Sequence, residues 1–81
     1  MYFVYILQCS DNTLYTGITT DVEHRFKEHK AGTASHYTRA HGAKEMIWTE
    51  ESKDRSGASK REAEIKKFTR GEKLEMVKKK K

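Results

Sequence analysis

Two strand-like segments separated by a short turn open the chain, and this arrangement constrains the fold more than any other feature. Residues 2–8 are rich in aromatic and β-branched side chains and are apolar on both faces, which is typical of a central strand. A turn signal, Ser10-Asp11-Asn12, follows, and residues 13–19 alternate as a second strand. The sequence therefore predicts a β-hairpin at the start of an α/β (α+β) fold.

The length of the turn decides whether two tyrosines in this hairpin can meet. Side chains alternate between the faces of a sheet, so Tyr5 and Tyr15 share a face only if opposed residue numbers add to an even value. A two-residue turn would give an odd sum. If both tyrosines serve one site, we expect an odd-length loop or a bulge between Cys9 and Thr13.

A helix is predicted after the hairpin. Thr20 and Glu23 have the spacing of a capping box, which opens a helix over about residues 21–31, and Gly32 suits the position after its last turn. At 100° per residue, His29 falls inside the apolar stripe of this helix and Arg25 falls on its edge. The helix therefore presents two polar groups towards the sheet.

The remaining segments complete one domain over residues 1–81, with a three-stranded sheet and helices packed against it. They are a short helix or ordered loop over residues 33–42, a strand over 45–50, a helix over about 56–69, a short final helix containing Leu74 and Val77, and a basic tail over 78–81.

Glu62 is predicted to lie on the inner line of the helix over 56–69, together with Ala58, Ile65 and Thr69. A carboxylate in such a place is costly unless it is paired or binds a cation. Three explanations remain open. Glu62 could complete a capping box with Ser59, pair with a lysine or Arg25 in a structural salt bridge, or bind a hard divalent cation.

Composition narrows the functional classes. The net charge of +5 favours a polyanionic partner such as nucleic acid, although glutamates interleaved with the lysines are also typical of a solvated helix face. Cys9 is the only cysteine, so it is either a nucleophile or a buried bystander, and we expect a reducing, cytoplasmic location. No apolar run approaches the length of about 20 residues that spans a bilayer, so no membrane partner is expected.

The spacing of the polar residues resembles that of the GIY-YIG nuclease superfamily. The motif residues are Phe3-Val4-Tyr5, Tyr15-Thr16-Gly17, Arg25, His29 and Glu62. Arg61-Glu62 followed by Ile65-Lys66-Lys67, and the Tyr37-Thr38-Arg39 tract, extend the match, which looks most like the small stand-alone bacterial members. The resemblance implies a three-stranded antiparallel sheet flanked by helices.

The resemblance also implies an endonuclease that hydrolyses DNA with one Mg²⁺ or Mn²⁺ ion, with DNA repair or processing as the expected role. Tyr5 or Tyr15 would help to deprotonate water, and Arg25 would hold the scissile phosphate. His29 would orient or exchange protons, and Glu62 would bind the metal. The remaining member of the site, Gly17, would allow close backbone approach.

Partners and a rival function follow from the same residues. DNA is the expected partner, with RNA or a targeting protein as further possibilities, and the candidate nucleic-acid contacts are Arg39, Lys66, Lys67 and Arg70. Family nucleases often carry a site asparagine after the glutamate helix, whereas the only asparagine here is Asn12. A non-catalytic module that binds nucleic acid or protein is therefore the alternative.

Overall fold

The computed structural model describes residues 1–79, in which a three-stranded sheet is surrounded by four helices. The elements are β1 (Tyr2–Cys9), β2 (Leu14–Thr19), α1 (Val22–Ala31), α2 (His36–His41), β3 (Ala43–Ser52), α3 (Arg55–Lys66) and α4 (Arg70–Lys79). The strand order is β2-β1-β3, and both pairings are antiparallel. This arrangement confirms the α+β class and the central position of the first strand.

The turn of the β1–β2 hairpin has an odd number of residues, as expected. The Cys9 N–H donates to the Thr13 carbonyl over 2.8 Å, and the Asn12 N–H donates to the Cys9 carbonyl over 2.9 Å. Three residues therefore lie between the closing pair. Asn12 has φ 69°, a left-handed conformation that asparagine tolerates better than most residues.

The register of the hairpin places both tyrosines on one face of the sheet. Tyr5 pairs with Gly17 and Leu7 pairs with Tyr15, so opposed residue numbers have an even sum. The prediction that joined loop length to a shared tyrosine face is confirmed. Tyr5 and Tyr15 consequently lie diagonally across the two strands, with ring centroids 6.3 Å apart.

The opposite face of the sheet carries the main apolar core. Its buried members are Val4, Ile6, Trp48, Ala58 and Ile65, with Phe68, Met76 and Val77 packed against them. Ala58 and Ile65 come from α3, so the predicted inner line of that helix is confirmed at these two positions. The core fixes α3 beneath the strands, while the tyrosine face is left for α1 and α2.

The helix boundaries differ from the predicted ones where a better cap lies one residue away. Asp21, rather than Thr20, caps α1, and its carboxylate accepts the His24 N–H over 3.0 Å. The first helical residue is Val22, so the residue directly before the first turn is Asp21, which is still extended. Gly32 ends α1 with φ 79° and donates to the His29 carbonyl, as predicted.

The helices predicted over about 56–69 and around Leu74 and Val77 are both present, as α3 and α4, but α3 is shorter than predicted. Asp54 caps α3 by accepting the Gly57 N–H over 2.8 Å, and α3 ends at Lys66. Thr69 is exposed and forms a capping box with Glu72, so its assignment to the inner line of α3 was wrong. The final helix, α4, accordingly begins at Arg70, directly after the Thr69 cap.

Strand β3 is longer than the predicted 45–50 and is irregular opposite Leu7 and Cys9, where its register with β1 shifts. Within residues 1–79, no helix is long and apolar enough to cross a membrane.

Candidate active site

A buried chain of hydrogen bonds runs from β1 through α1 to α2. The Tyr5 hydroxyl lies 2.7 Å from Nε2 of His29, and Nδ1 of the same ring lies 2.7 Å from the Thr38 hydroxyl. The Thr38 hydroxyl in turn lies 2.9 Å from that of Ser35. Tyr5 and His29 are each only 2% exposed, so these polar groups satisfy one another away from bulk water.

Gly17 makes room for the Tyr5 phenol. A β-carbon at position 17 would lie 2.5 Å from the Tyr5 hydroxyl oxygen and 2.7 Å from the ring carbon that bears it. The close approach expected at Gly17 is therefore present, but its occupant is the tyrosine of the opposite strand. A larger residue would displace the hydroxyl that bonds to His29.

Burial and nearby charges set the protonation states of this pair. Burial raises the pKa of Tyr5 well above its usual range, with Tyr15, Glu62 and Glu28 acting in the same direction and Arg25 opposing them. Burial, followed by the Arg25 charge, lowers the pKa of His29, against the opposing effect of Glu28. At neutral pH the hydrogen bond therefore joins a protonated phenol to a neutral imidazole.

Tyr15 and Tyr37 extend the site towards the surface. The ring centroid of Tyr15 lies 5.3 Å from that of His29 and 5.7 Å from that of Tyr37, which stacks in turn on His41 at 4.1 Å. His41 pairs with Asp11 in the hairpin turn. These contacts hold α2 against the hairpin, and the half-exposed Tyr15 lies between the buried pair and solvent.

Arg25 is half-buried, and the protein leaves part of its hydrogen-bonding capacity unused. Its Nη1 lies 3.5 Å from a Glu28 carboxylate oxygen, which is a long ion pair. Its Nε is buried and has no hydrogen-bond partner within residues 1–79. An unpaired buried donor is costly, so an anionic ligand at this position would satisfy a group that the fold does not.

Glu62 is half-buried, and its carboxylate lies 3.1 Å from the Lys66 ammonium one turn later. The capping box with Ser59 is excluded, because α3 already begins at Arg55 with Asp54 as its cap. The ion pair with a lysine is present. Glu62 also lies near enough to raise the pKa of Tyr5, so it shares the electrostatic environment of the site.

The possible metal ligands of the protein suit a cation that keeps most of its bound water. Within residues 1–79, no group of three or more His, Cys, Asp or Glu side chains is placed to hold a metal. Mg²⁺ binds in proteins through one or two carboxylates, with water and substrate phosphate completing its coordination. Glu62 is a carboxylate of the kind required, and a bound cation would compete with Lys66 for it.

The predicted nucleic-acid contacts differ in their availability. Arg39 and Lys67 are exposed, and no ion pair within residues 1–79 holds either of them. Lys66 is engaged with Glu62, and the Arg70 guanidinium donates over 2.9 Å to the Asn12 carbonyl in the hairpin turn. Arg70 therefore also ties α4 to the hairpin.

Cys9 is a buried bystander. Its side chain is fully buried, and burial raises the pKa of its thiol, which disfavours the nucleophilic thiolate.

Two members of the site escaped the sequence analysis as functional residues. Glu28 pairs with Arg25 and influences both Tyr5 and His29. Thr38 is 1% exposed and bonds to His29. A signal for Thr38 existed in its position three residues after Ser35, a capping pattern that its N–H completes over 3.1 Å.

Comparison with known protein families assigns the chain to a class of protein. Residues 1–75 match the model of the GIY-YIG catalytic domain. The chain therefore belongs to the GIY-YIG family, a nuclease superfamily whose members generally use divalent metal ions. The resemblance inferred from the motif spacing is confirmed.

The chain's relatives include UPF0213 proteins of bacteria and archaea. One from Natronomonas pharaonis is 46% identical over 76 residues, covering 94% of this chain and 89% of the relative. Another from Staphylococcus haemolyticus is 43% identical over 76 residues, covering 94% and 93%.

Two solution NMR structures share the fold. The UPF0213 protein of Bacillus halodurans aligns with a TM-score of 0.60 and 38% identity, covering 96% of this chain and 84% of that one. A protein of E. faecalis aligns with a TM-score of 0.65 and 42% identity, covering 96% and 83%.

Proposed function

We propose that this protein is a divalent-metal-dependent endonuclease that hydrolyses phosphodiester bonds in DNA, with a role in DNA repair or processing in the cytoplasm. The observation that carries the proposal is the buried Tyr5–His29 hydrogen bond with the charges of Arg25 and Glu62 acting on it. Arg25 comes from α1 and Glu62 from α3, so two different helices bring charges of opposite sign to the buried pair.

Arg25 binds the scissile phosphate in this proposal. A guanidinium presents several donors in a planar fork, and the unused Nε and loosely held Nη1 leave donors for phosphate oxygens. Its positive charge opposes the negative charge that develops on the phosphate as water attacks. A phosphate would compete with Glu28 for the same guanidinium.

Tyr5 and His29 together accept the proton of the attacking water. Phenol is a poor base while it carries its own proton, but the Tyr5 proton has an acceptor in His29 Nε2, 2.7 Å away. As the water proton reaches the Tyr5 oxygen, the original phenolic proton passes to the imidazole. The half-exposed Tyr15 has no hydrogen-bond acceptor for its own proton within residues 1–79, so its hydroxyl serves to orient water or phosphate.

Glu62 is the residue that would hold the metal ion. A divalent cation bound there supplies Lewis-acid polarisation of the phosphate and stabilises the leaving oxygen. The position of Glu62 on α3, fixed by the burial of Ala58 and Ile65 on the same helix, keeps the carboxylate in a constant place relative to the sheet.

The exposed basic residues supply general affinity for the DNA backbone. Arg39 lies on α2 and Lys67 follows α3, while burial and the neighbouring Lys66 charge lower the pKa of Lys73 on α4. Cationic groups from α3 and α4 are thus close together, as a phosphate-binding surface requires. We extend this surface to the basic tail over 78–81, of which Lys80 and Lys81 lie outside the described residues.

A cleavage panel tests the proposal. Duplex, flap, four-way-junction and single-stranded DNA, together with RNA, are incubated with wild-type protein and Arg25→Ala, with Mg²⁺ or Mn²⁺ and with chelator. We expect metal-dependent cleavage of at least one DNA by the wild type and none by Arg25→Ala. Arg55→Ala is the matched control, because Arg55 is exposed at the start of α3.

Binding without cleavage by the wild type on every nucleic acid would overturn the nuclease proposal. That result would favour the alternative of a non-catalytic binding module, which the exposed Arg39 and Lys67 would equally serve.

A further inference from the structure

Thr38 contacts the His29 ring on the side opposite to Tyr5. Its hydroxyl oxygen lies 2.7 Å from Nδ1, while the Tyr5 oxygen lies 2.7 Å from Nε2. Both partners of the ring are almost completely buried, so neither ring nitrogen depends on bulk water for its hydrogen bond. The positions of the protons along this chain are therefore decided by the protein.

The direction of the chain follows from the Tyr5 end. Within residues 1–79, the Tyr5 hydroxyl has one hydrogen-bond partner, which is His29 Nε2. A buried hydroxyl that failed to donate its proton would lose about 1–3 kcal/mol. Its O–H therefore donates to Nε2, which places the single proton of the neutral imidazole on Nδ1.

The Thr38 hydroxyl is placed to accept a hydrogen bond from that Nδ1–H group. Its oxygen accepts from Nδ1–H, and its own O–H has acceptors in the Ser35 hydroxyl at 2.9 Å and the Ser35 carbonyl at 3.5 Å. The Ser35 hydroxyl oxygen also accepts the Thr38 N–H at the start of α2. The cap of a short helix thus fixes the orientation of the hydroxyl that contacts His29.

We propose that Thr38 is a positioning residue that holds His29 in its Nδ1–H tautomer and so keeps Nε2 as the acceptor for the Tyr5 proton. The tautomer assignment stands on geometry alone, whereas its consequence for cleavage rests on the proposed nuclease function. When the phenolic proton moves to Nε2, the imidazolium donates Nδ1–H to Thr38 and Nε2–H to the Tyr5 oxygen. Thr38 keeps the same role before and after the transfer, so no hydrogen bond has to break.

The test is the tautomer of His29, measured by two-dimensional ¹⁵N NMR of the imidazole nitrogens in labelled protein above the ring pKa. Wild type and Thr38→Ser, which keeps the hydroxyl, should show one Nδ1–H tautomer. Thr38→Val keeps the branched shape but removes the acceptor for Nδ1–H, so it should raise the fraction of the Nε2–H tautomer above the wild-type value, even though Tyr5 still favours Nδ1–H. The wild-type spectrum decides the assignment even if a variant fails to fold.

A predominant Nε2–H tautomer in the wild type, or the same tautomer populations in Thr38→Val as in the wild type, would overturn the proposal. On a substrate that the wild type cleaves, Thr38→Val should lower kcat by about tenfold, equivalent to about 1.4 kcal/mol, with KM unchanged. Thr38→Ser should restore most of this loss. If no substrate is cleaved, the nuclease proposal fails. The NMR spectra still test whether Thr38 controls the His29 tautomer, because they do not depend on cleavage.

Discussion

Gly17 and Tyr5 face each other across the hairpin, and the Tyr5 phenol occupies the space that a side chain at position 17 would need. Only a glycine at this position lets the phenol lie flat enough on β2 to reach His29. The geometry of the site therefore begins in the pairing of two strands.

Replacing Gly17 with alanine should displace the Tyr5 hydroxyl. A methyl group 2.5 Å from the hydroxyl oxygen is far inside van der Waals contact, and overpacking of this kind costs about 1–3 kcal/mol. We expect Gly17→Ala to lower the free energy of unfolding in chemical denaturation and to reduce cleavage. Gly71→Ala is the control, because its nearest neighbour would lie 3.9 Å away, and it should not be destabilised. Equal stability of both variants would show that Tyr5 is not confined by Gly17.

The low pKa of His29 predicts a loss of stability in mild acid. Its ring is faced by Tyr5 from β1, Tyr15 from β2 and Arg25 and Glu28 on its own helix, and burial dominates. Because the folded pKa is below the unfolded value of about 6.5, the unfolded state binds the proton first. The stabilisation is complete above that value and is lost as the pH falls through it.

Chemical denaturation between about pH 7.5 and 5 measures this effect. His29→Gln should lose less stability than wild type over this range, whatever its stability at the upper end. His36→Gln, at an exposed position on α2, should follow the wild type. Parallel curves for wild type and His29→Gln would mean that His29 is not held neutral by the fold.

Salt dependence should separate DNA contacts from structural ones. Each phosphate contact with duplex DNA contributes about 0.9 to the slope of log affinity against log salt. Lys67→Ala should reduce the slope by about this amount without changing stability. Arg70→Ala should also lower the free energy of unfolding, since it removes the hydrogen bond to the Asn12 carbonyl. An unchanged slope in both variants would place the DNA elsewhere.

The hairpin shows how far the sequence could predict the site. If Tyr5 and Tyr15 share a face of the sheet, the loop between the strands must have an odd number of residues, and it does. Asn12 is the residue of this loop that adopts the left-handed conformation. The helical period likewise placed His29 in the buried stripe, where it is found. These features depend on local geometry, and local geometry can be predicted from the spacing of residues along the chain.

Contacts between elements that are distant in the chain could not be predicted from the sequence pattern. Thr38 lies on a six-residue helix, too short for a hydrophobic period to show which residues face inwards. Thr69 was misplaced because two helices in a row continued one apparent period across their junction. Glu62 could be placed on the inner side of α3, but its pairing with Lys66 and its effect on Tyr5 required the three-dimensional structure.

The most direct measurement is single-turnover cleavage in Mg²⁺ by wild type, Glu62→Gln and Glu64→Gln, with DNA binding measured in parallel. Glu64 is the matched control because it lies on the same helix, is exposed and pairs with Arg61. We expect Glu62→Gln to lose cleavage while it retains binding, and Glu64→Gln to cleave like the wild type. Wild-type cleavage rates in Glu62→Gln would contradict the proposed metal site and the mechanism built around it.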